Sequence, residues 1–512
     1  MLQTALGGSF LAAGTLFEYG SRFVIAFFLA RLLGAEQYGV YNLAISAALL
    51  IASLSTFGLD SAMVRYIAMQ AGNEDEAGVW GTLQVGAGIS FVISIVASIG
   101  LYLLAGPIAI GIFDEPQLAT FLRLFSLFIP FSTLSSVLVD AARGFRRMDY
   151  SALAENVVLF VSRMAMLGIL AISGLDAIKA VIAFGLSDLA VVLSLIYLLH
   201  KEFSFKRPLS QARRDFRDIL TFSLPFWMSG LLTKFRKNIQ TLLLGTLNTA
   251  TSVGIFSIAS KINLVGHVVY SSLVASVKPV LAELYDKENR EQMGRLYQTT
   301  TRWTFTANLP IFLIMVLYPA SLLSVFGESF TGGAAALSVL ALGELANAGT
   351  GICGSIIDMT GYTKLKLVNS VLWVVLISAS NVLLIPQWGV LGAATSAFLS
   401  ITIVNLLRVV EVWFLFHLQP YNRSFLKPVT AGLAASAAAL LLQQWLPVNG
   451  RFLHLAIHLP TVFAIYVSTL FLLGLPAEER TVLGRMFRRA HHLLAQFQLA
   501  LQRYLTTKLG TR

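Results

Sequence analysis

The sequence predicts an all-α membrane protein with about 14 transmembrane helices, arranged as two parallel six-helix repeats plus two extra C-terminal helices. Three observations support this prediction. Only 12% of the 512 residues are charged and 56% are hydrophobic, whereas soluble proteins carry about twice that charged fraction. Apolar stretches long enough to cross ~30 Å of hydrocarbon recur along the whole chain. The third observation is an internal repeat.

The apolar stretches define the predicted spans, which are separated mostly by short polar segments. The single cysteine, Cys353, lies within one of them, so the chain cannot form an internal disulfide, and a small buried side chain accounts for it. The spans are predicted at 9–33, 38–58, 79–104, 117–141, 150–173, 176–199, 219–246, 251–276, 299–326, 333–359, 365–385, 389–416, 427–446 and 453–475.

Basic residues are distributed unevenly between the two sides of these spans. Loops that join odd- to even-numbered spans are short and nearly free of Lys and Arg. Loops on the other side contain the basic segments 143–150, 201–218 and 278–297. Cytoplasmic loops carry an excess of Lys and Arg, so this pattern places both termini in the cytoplasm. The net charge of +11 is therefore a signal of topology, and we predict no nucleic-acid partner.

The internal repeat is clearest at 29–46, "LARLLGAEQYGVYNLAIS", and at 242–260, "LLLGTLNTATSVGIFSIAS". Each copy holds six spans, an even number, so both copies begin on the same side and are related by an axis along the membrane normal. In the tail, apolar residues recur at helical spacing between basic ones, which predicts an amphipathic helix on the anionic membrane surface. The predicted domains are an N-lobe (1–199), a basic cytoplasmic linker (200–218), a C-lobe (219–416), two further spans (417–475) and a basic amphipathic cytoplasmic tail (476–512).

Three segments resemble a known family: "LLGAEQYGVYNLA" (32–44), "GLDSAMVRYIA" (58–68) and "LIPQWGVLGAATSAFLS" (384–400). They are similar to the polysaccharide-transporter branch of the multidrug/oligosaccharidyl-lipid/polysaccharide (MOP) exporter superfamily, which includes the Wzx-type O-antigen flippases. The resemblance covers roughly residues 5–475 and implies a MOP flippase or MATE-like fold. The chain departs from the family pattern in span 7, where Asn238 stands at a position that is often acidic in members.

The resemblance also implies a function in the inner membrane of a bacterium. The protein is expected to translocate a polyprenyl-diphosphate-linked oligosaccharide, such as an O-antigen, capsule or exopolysaccharide unit, by alternating access that is coupled to ions. Its partners are expected to be this glycan substrate and membrane lipids, with a polysaccharide polymerase or synthase as a further candidate. The chain contains no Walker A motif, HExxH motif or cysteine-ligand spacing. We therefore predict a protein that is not an enzyme, without catalytic residues, metal or cofactor.

Translocating a diphosphate requires fixed cations inside the membrane. In span 7, Lys234, Arg236 and Lys237 lie within one helical turn, and Lys234 and Lys237 share a face whereas Arg236 projects elsewhere. In span 1, Glu18 and Arg22 are four residues apart on one face. This pair is either an intrahelical ion pair or a phosphate ligand beside a titratable acid.

Further charged residues lie near the middle of other spans. Arg163 in span 5 and Lys261 in span 8 are candidate cavity cations, because intramembrane charges are commonly functional. Asp188 in span 6 and Glu344 in span 10 are, with Glu18, the candidates for ion coupling, since coupling requires a carboxylate whose protonation or ion binding differs between states. Asp188 and Glu344 have an alternative role as partners that neutralise Arg163 or Lys261.

Three other functions are compatible with a polytopic membrane protein. A MATE-like multidrug or cation exporter is the main alternative, but a cavity for cationic drugs needs acidic rather than basic side chains. A membrane glycosyltransferase or polymerase predicts a large extracytoplasmic loop, and the loops on that side are short. An interaction scaffold leaves the intramembrane cations unexplained.

Overall fold

In the part of the chain that it describes, the computed structural model consists of helices joined by turns and loops. It describes residues 2–172, 176–203, 212–445 and 451–474 together with Gly174 and Pro208, and the side chains at 2–16, 18, 229, 231–234, 236, 237, 445 and 451–454 lie outside that description. The helices are α1 (Leu2–Ser55), α2 (Leu59–Gly72), α3 (Glu76–Gly111), α4 (Leu118–Gly144), α5 (Met148–Ala152), α6 (Leu159–Ala171), α7 (Ala177–Glu202), α8 (Phe216–Leu247), α9 (Ala250–Asp286), α10 (Arg290–Leu317), α11 (Pro319–Ser324), α12 (Ala334–Thr350), α13 (Cys353–Met359), α14 (Thr363–Phe416), α15 (Leu426–Trp445) and α16 (Arg451–Leu472).

The predicted spans coincide with helices of the described region. By length and composition, ten of these helices are long and apolar enough to cross a membrane. Two of the ten, α1 and α14, each contain two predicted spans, and α8 and α10 hold the two predicted spans that remain. The all-α membrane fold is thus confirmed, and about 14 crossings are compatible with these helices.

Single glycines form the kinks in the two longest helices. Gly34 in α1 has φ 72° and ψ 175°, and Gly389 in α14 has φ 52° and ψ −122°. Positive φ values are readily adopted by glycine and rarely by residues with a Cβ. The sequence predicted short loops at these two places, and the structure has a kink at a glycine instead.

The repeat appears as a close and reciprocal contact between α1 and α9. A Cβ on Gly39 would lie 1.7 Å from the Ala250 carbonyl oxygen, and a Cβ on Gly254 would lie 2.0 Å from the Ala35 carbonyl oxygen. Ala250 and Gly254 follow Ala35 and Gly39 at the same interval of 215 residues. Small residues four apart permit two helices to approach this closely. We call this contact of four residues the reciprocal crossing.

The two ends of the helical bundle differ in charge. We call the end that holds the segments 144–147, 212–215 and 287–289 the basic end, and the end that holds the kinks and the reciprocal crossing the far end. Towards the basic end, Trp227 Nε1 of α8 donates a hydrogen bond to the Leu54 carbonyl of α1, at 3.0 Å. Farther along α8, Gln240 Nε2 donates to the Ala393 carbonyl of α14, at 2.7 Å. Helix α8 therefore contacts both halves of the chain.

The described part of the linker packs against α3. The Arg213 backbone N–H donates to the Ala77 carbonyl at 2.9 Å, and the Arg213 guanidinium lies 2.6 Å from a carboxylate oxygen of Asp75. A Cβ on Gly81 would lie 1.8 Å from the Arg213 carbonyl oxygen, so only a glycine fits there without a shift. The linker thus ends on the N-terminal half, immediately before α8 begins. The exact boundaries of the two lobes stay a prediction.

Candidate functional site

A cavity of about 500 Å³ is formed mainly by α1, α4, α6 and α7, and Lys261 of α9 also lines it. We call it the N-half cavity. It brings together Arg22, Arg163, Asp188 and Lys261, which the sequence placed in four different spans. No two of these four residues are close in the sequence, so tertiary packing brings their side chains together. Four of the nine candidate site residues therefore share one cavity.

Arg163 is held in this cavity by a dense set of partners. Its guanidinium lies 3.2 Å from Asp188 Oδ1, and its Nε donates to Ser187 Oγ at 3.0 Å. The guanidinium carbon also lies 4.2 Å from the ring centroid of Phe184, a cation–π contact. Ser132 Oγ donates to the second oxygen of Asp188. This geometry matches the alternative in which Asp188 neutralises Arg163.

Lys261 differs from Arg163 in its surroundings. Its ammonium lies 5.5 Å from the ring centroid of Tyr38, and among the described residues it forms no ion pair with a carboxylate. Arg22 lines the same cavity from α1, on the other half of the chain, and is exposed. Two cations from different halves therefore face one space, an arrangement that can hold a multivalent anion between them.

The remaining polar lining of the N-half cavity supplies neutral hydrogen-bond donors. A hydroxyl group rotates to donate or accept as its partner requires, and an amide offers both roles. Such groups can complete the coordination of phosphate oxygens that a few cations begin. They are Ser21, Ser135, Ser136 and Asn42, whereas the single hydroxyl proton of Ser132 is donated to Asp188.

Glu344 occupies a separate polar chain in the C-terminal half. Its carboxylate lies 3.6 Å from His267 Nδ1 and accepts a hydrogen bond from Asn347 Nδ2 at 3.1 Å. Asn405 Nδ2 donates to Asn347 Oδ1 at 2.7 Å, and Arg408 Nη1 donates to Asn405 Oδ1 at 3.2 Å. The sequence gives no indication that His267 and Glu344 are neighbours, because 77 residues separate them.

For Arg408 and Glu411, three residues apart towards the inner end of span 12, the sequence leaves snorkelling or local pairing as explanations, and the structure shows no local pair. Glu411 Oε2 accepts a hydrogen bond from Asn369 Nδ2 at 2.7 Å, and no ion pair joins Arg408 to it. The reason is that α14 folds back at its kink, which brings Asn369 from the preceding span against Glu411. Arg408 is left facing a cavity of the C-terminal half.

The other candidate residues lie outside the described side chains. These are Glu18 on α1 and the three cations Lys234, Arg236 and Lys237 on α8. Their roles stay predictions. Within the described part of the chain, no group of three or more His, Cys, Asp or Glu side chains is arranged to hold a metal ion.

A helical bundle of two repeats, with a cavity in its N-terminal half that is lined by Arg22, Arg163 and Lys261, is the architecture of a membrane transporter. The fold is similar to that of the lipid II flippase MurJ in its inward closed conformation, with a TM-score of 0.71 and 14% identity, covering 90% of this chain and 98% of that one. It is also similar to an inward-facing multidrug resistance MATE transporter of the MOP superfamily, with a TM-score of 0.62 and 16% identity, covering 78% of this chain and 94% of that one.

A model of the family described as "Polysaccharide biosynthesis protein" matches residues 5–285, more than half of the chain. The protein belongs to this family, in the polysaccharide-transporter branch of the MOP superfamily. A second model, MatE, matches residues 225–383, in agreement with the MATE-like fold. The resemblance seen in the sequence is therefore confirmed.

Two curated relatives agree with this family. The succinoglycan biosynthesis transport protein ExoT of Rhizobium meliloti is 23% identical over 506 residues, which cover 92% of each chain. The probable flippase AglR of Haloferax volcanii is 23% identical over 279 residues, covering 53% of this chain and 57% of that protein. The similarity to ExoT therefore extends over nearly the whole length of both proteins.

Proposed function

We propose that this protein is a flippase that carries a polyprenyl-diphosphate-linked oligosaccharide from the cytoplasmic leaflet of a bacterial inner membrane to the opposite leaflet. Its family, its fold and the flippase and polysaccharide transport functions named for its relatives support this. The observation that carries the proposal is the N-half cavity, in which Arg22 and Lys261 reach one space from different halves of the molecule.

The mechanism follows from the chemistry of the substrate. A flippase breaks no covalent bond, but it must move a diphosphate past hydrocarbon, where unpaired charge is costly. Arg22 offers a planar set of donors and Lys261 a compact charge, and both suit phosphate oxygens. Since the two residues belong to different halves, one bound diphosphate draws the halves together. Opening the reciprocal crossing then releases it at the far end.

Ion coupling is assigned here to Glu344 rather than to Asp188. Asp188 forms an ion pair with Arg163 and accepts a hydrogen bond from Ser132. Protonation of Asp188 would therefore leave the buried Arg163 guanidinium without its counter-ion. Glu344 faces His267, and imidazole is the side chain whose charge changes near neutral pH. Proton uptake by this second pair changes the charge of the C-terminal half without stranding a buried cation.

Asp188 and Glu344 are expected to differ in how much they contribute to the stability of the fold. We expect Asp188→Asn to lower the free energy of unfolding by about 3–5 kcal/mol, the usual cost of removing one partner of a buried ion pair. Glu344→Gln keeps hydrogen-bonding groups beside Asn347 and His267, so a loss below about 1.5 kcal/mol is expected. Thermal unfolding of the two purified variants measures this difference. Equal destabilisation would contradict the division of roles.

The remaining parts of the proposal concern topology and partners. The basic end is assigned to the cytoplasm together with both termini, because Lys and Arg concentrate there. The protein is a transporter rather than an enzyme, and a polysaccharide polymerase or synthase is a candidate partner on the membrane. Lipids of the inner leaflet are expected to contact the basic tail.

Reconstitution tests the proposed activity directly. Proteoliposomes that carry a polyprenyl-diphosphate-linked oligosaccharide should expose its glycan to an external, membrane-impermeant periodate reagent in a protein-dependent manner. Protein-free vesicles and vesicles with heat-inactivated protein provide the controls. Absence of protein-dependent exposure across several such lipids, with correctly inserted protein, would argue against a flippase.

The match to the MatE model supports one alternative, a multidrug or cation exporter. The N-half cavity disfavours it, because Arg22 and Lys261 repel a cationic drug. Uptake of ethidium by the same vesicles decides between the two functions. Ethidium transport without glycan exposure would favour the exporter.

A further inference from the structure

A second cavity, of about 580 Å³, lies in the C-terminal half between α9, α12, α13 and α14. We call it the C-half cavity. It extends from His267, near the middle of α9, to Lys278 and Lys366 nearer the basic end. Its volume falls within the range of ~300–1,000 Å³ that is usual for small-molecule sites. Nothing in the proposed diphosphate site uses it.

The charged lining of the C-half cavity has an excess of cations. Lys278 and Arg408 form no ion pair with a carboxylate among the described residues, and the single hydrogen bond of the Arg408 guanidinium goes to Asn405 at 3.2 Å. Lys366 is paired with Asp358 at 3.2 Å. Among the residues that the structure describes, these two cations therefore have no counter-ion in the C-half cavity, which favours an anionic ligand.

The uncharged lining is suited to sugars. The side chain of Asn369 is fully buried and lines the cavity; its Nδ2 is used by Glu411, and its Oδ1 has no hydrogen-bond partner among the described residues. A buried, unused acceptor is costly unless a ligand satisfies it. Trp373 and Tyr270 add aromatic faces, and the Tyr270 hydroxyl is anchored to the Gly351 carbonyl at 2.9 Å. Amide acceptors beside aromatic surfaces match the hydroxyl groups and apolar faces of a pyranose.

We infer that the C-half cavity binds the glycan portion of the substrate and selects a sugar that carries a carboxylate. This inference rests on the proposed flippase function. The carboxylate pairs with Arg408 and Lys278, and neighbouring hydroxyl groups bond to Asn369.

The spacing of the two cavities fits a single substrate. Lys261 of the N-half cavity and His267 of the C-half cavity are six residues apart on α9, about 9 Å along the helix axis. Lys278, which pairs with the carboxylate, lies 17 residues from Lys261, about 25 Å along the axis, so a substrate that spans both subsites carries its carboxylate several sugars beyond the diphosphate.

The test measures binding of three probes to the purified full-length protein in lipid nanodiscs by calorimetry. The probes are trigalacturonate, its methyl ester and inorganic pyrophosphate. We expect the wild type to bind trigalacturonate about tenfold more tightly than the ester, the usual gain from one charge-assisted hydrogen bond. Lys278→Gln/Arg408→Gln should remove this difference and leave pyrophosphate binding unchanged. Arg22→Gln/Lys261→Gln should instead abolish pyrophosphate binding and leave the preference for trigalacturonate over its ester unchanged.

Two further variants keep the test interpretable. Lys364→Gln removes an exposed charge from the same end of α14 without touching the cavity, so its affinities should stay within about twofold of wild type. Lys278→Gln alone removes a side chain that forms no ion pair with any described residue, and this single variant replaces the double variant if the latter does not fold. Equal binding of acid and ester, or no binding of either, overturns the inference. Loss of pyrophosphate binding in Lys278→Gln/Arg408→Gln also overturns the inference. If the wild type does not bind pyrophosphate in either cavity, that result contradicts the proposed diphosphate site instead.

Discussion

Replacement of both Arg22 and Lys261 by glutamine is expected to lower the rate of glycan translocation about 100-fold. Each cation can contribute one or more charge-assisted hydrogen bonds to the diphosphate, and each such bond is worth about 1.5–3 kcal/mol. The two residues line one cavity from different halves, so each single variant is expected to lose about tenfold. The periodate-accessibility assay in proteoliposomes measures these rates.

The matched control removes two positive charges outside the cavity. Lys287 and Arg290 are exposed near the basic end, and Lys287→Gln/Arg290→Gln should keep translocation within about twofold of wild type, since exposed charges contribute little. Equal losses in the control and in the cavity variant would mean that net charge, rather than the N-half cavity, sets the rate.

Adding a methyl group at the reciprocal crossing is expected to have the second large effect. The new Cβ of Gly39→Ala would lie 1.7 Å from the Ala250 carbonyl oxygen, whereas carbon and oxygen normally approach no closer than about 3.3 Å. The helices must therefore separate by roughly 1.5 Å. We expect Gly39→Ala and Gly254→Ala each to open the far end and to reduce translocation at least about tenfold, because a substrate carrier that stays open at one end cannot alternate.

Thiol labelling reports whether the far end has opened. With Cys353 replaced by alanine, a cysteine introduced at Asn42, which lines the N-half cavity, should react from the far end in Gly39→Ala but not in the parent. Gly20→Ala on the same helix is the control, because a Cβ at Gly20 meets nothing within 4 Å. Unchanged labelling in a Gly39→Ala protein that folds would show that the crossing does not close this end.

The sequence predicts the features that depend on local patterns. Apolar length locates the spans, and the repeated segment around Gly39 and Gly254 anticipates the twofold arrangement, because both signals are written in consecutive residues. Charge within an apolar run is unusual enough to single out Arg22, Arg163 and Lys261 one by one. The sequence cannot show that these three share a cavity, since their spans meet only in the folded bundle.

Spacing along the sequence does not predict which polar side chains pair with each other in the fold. Arg408 and Glu411 stand three residues apart on a helix, a spacing that favours an ion pair, yet Asn369 from the preceding span takes the carboxylate. His267 and Glu344 form a pair that no spacing rule detects. A buried polar group without a hydrogen-bond partner costs free energy. The tertiary fold determines which partners lie within hydrogen-bonding distance of it.

The reciprocal crossing has the geometry of an isologous interface, in which residue i contacts residue j and residue j contacts residue i. In a symmetric homodimer one gene encodes both sides of such an interface, so every substitution acts twice. Here the two sides are encoded 215 residues apart. Mutation therefore acts on one side at a time, and each half can diverge in its cavity while the shared contact is preserved. Asymmetric cavities around a symmetric crossing are the expected result of fusing two copies into one chain.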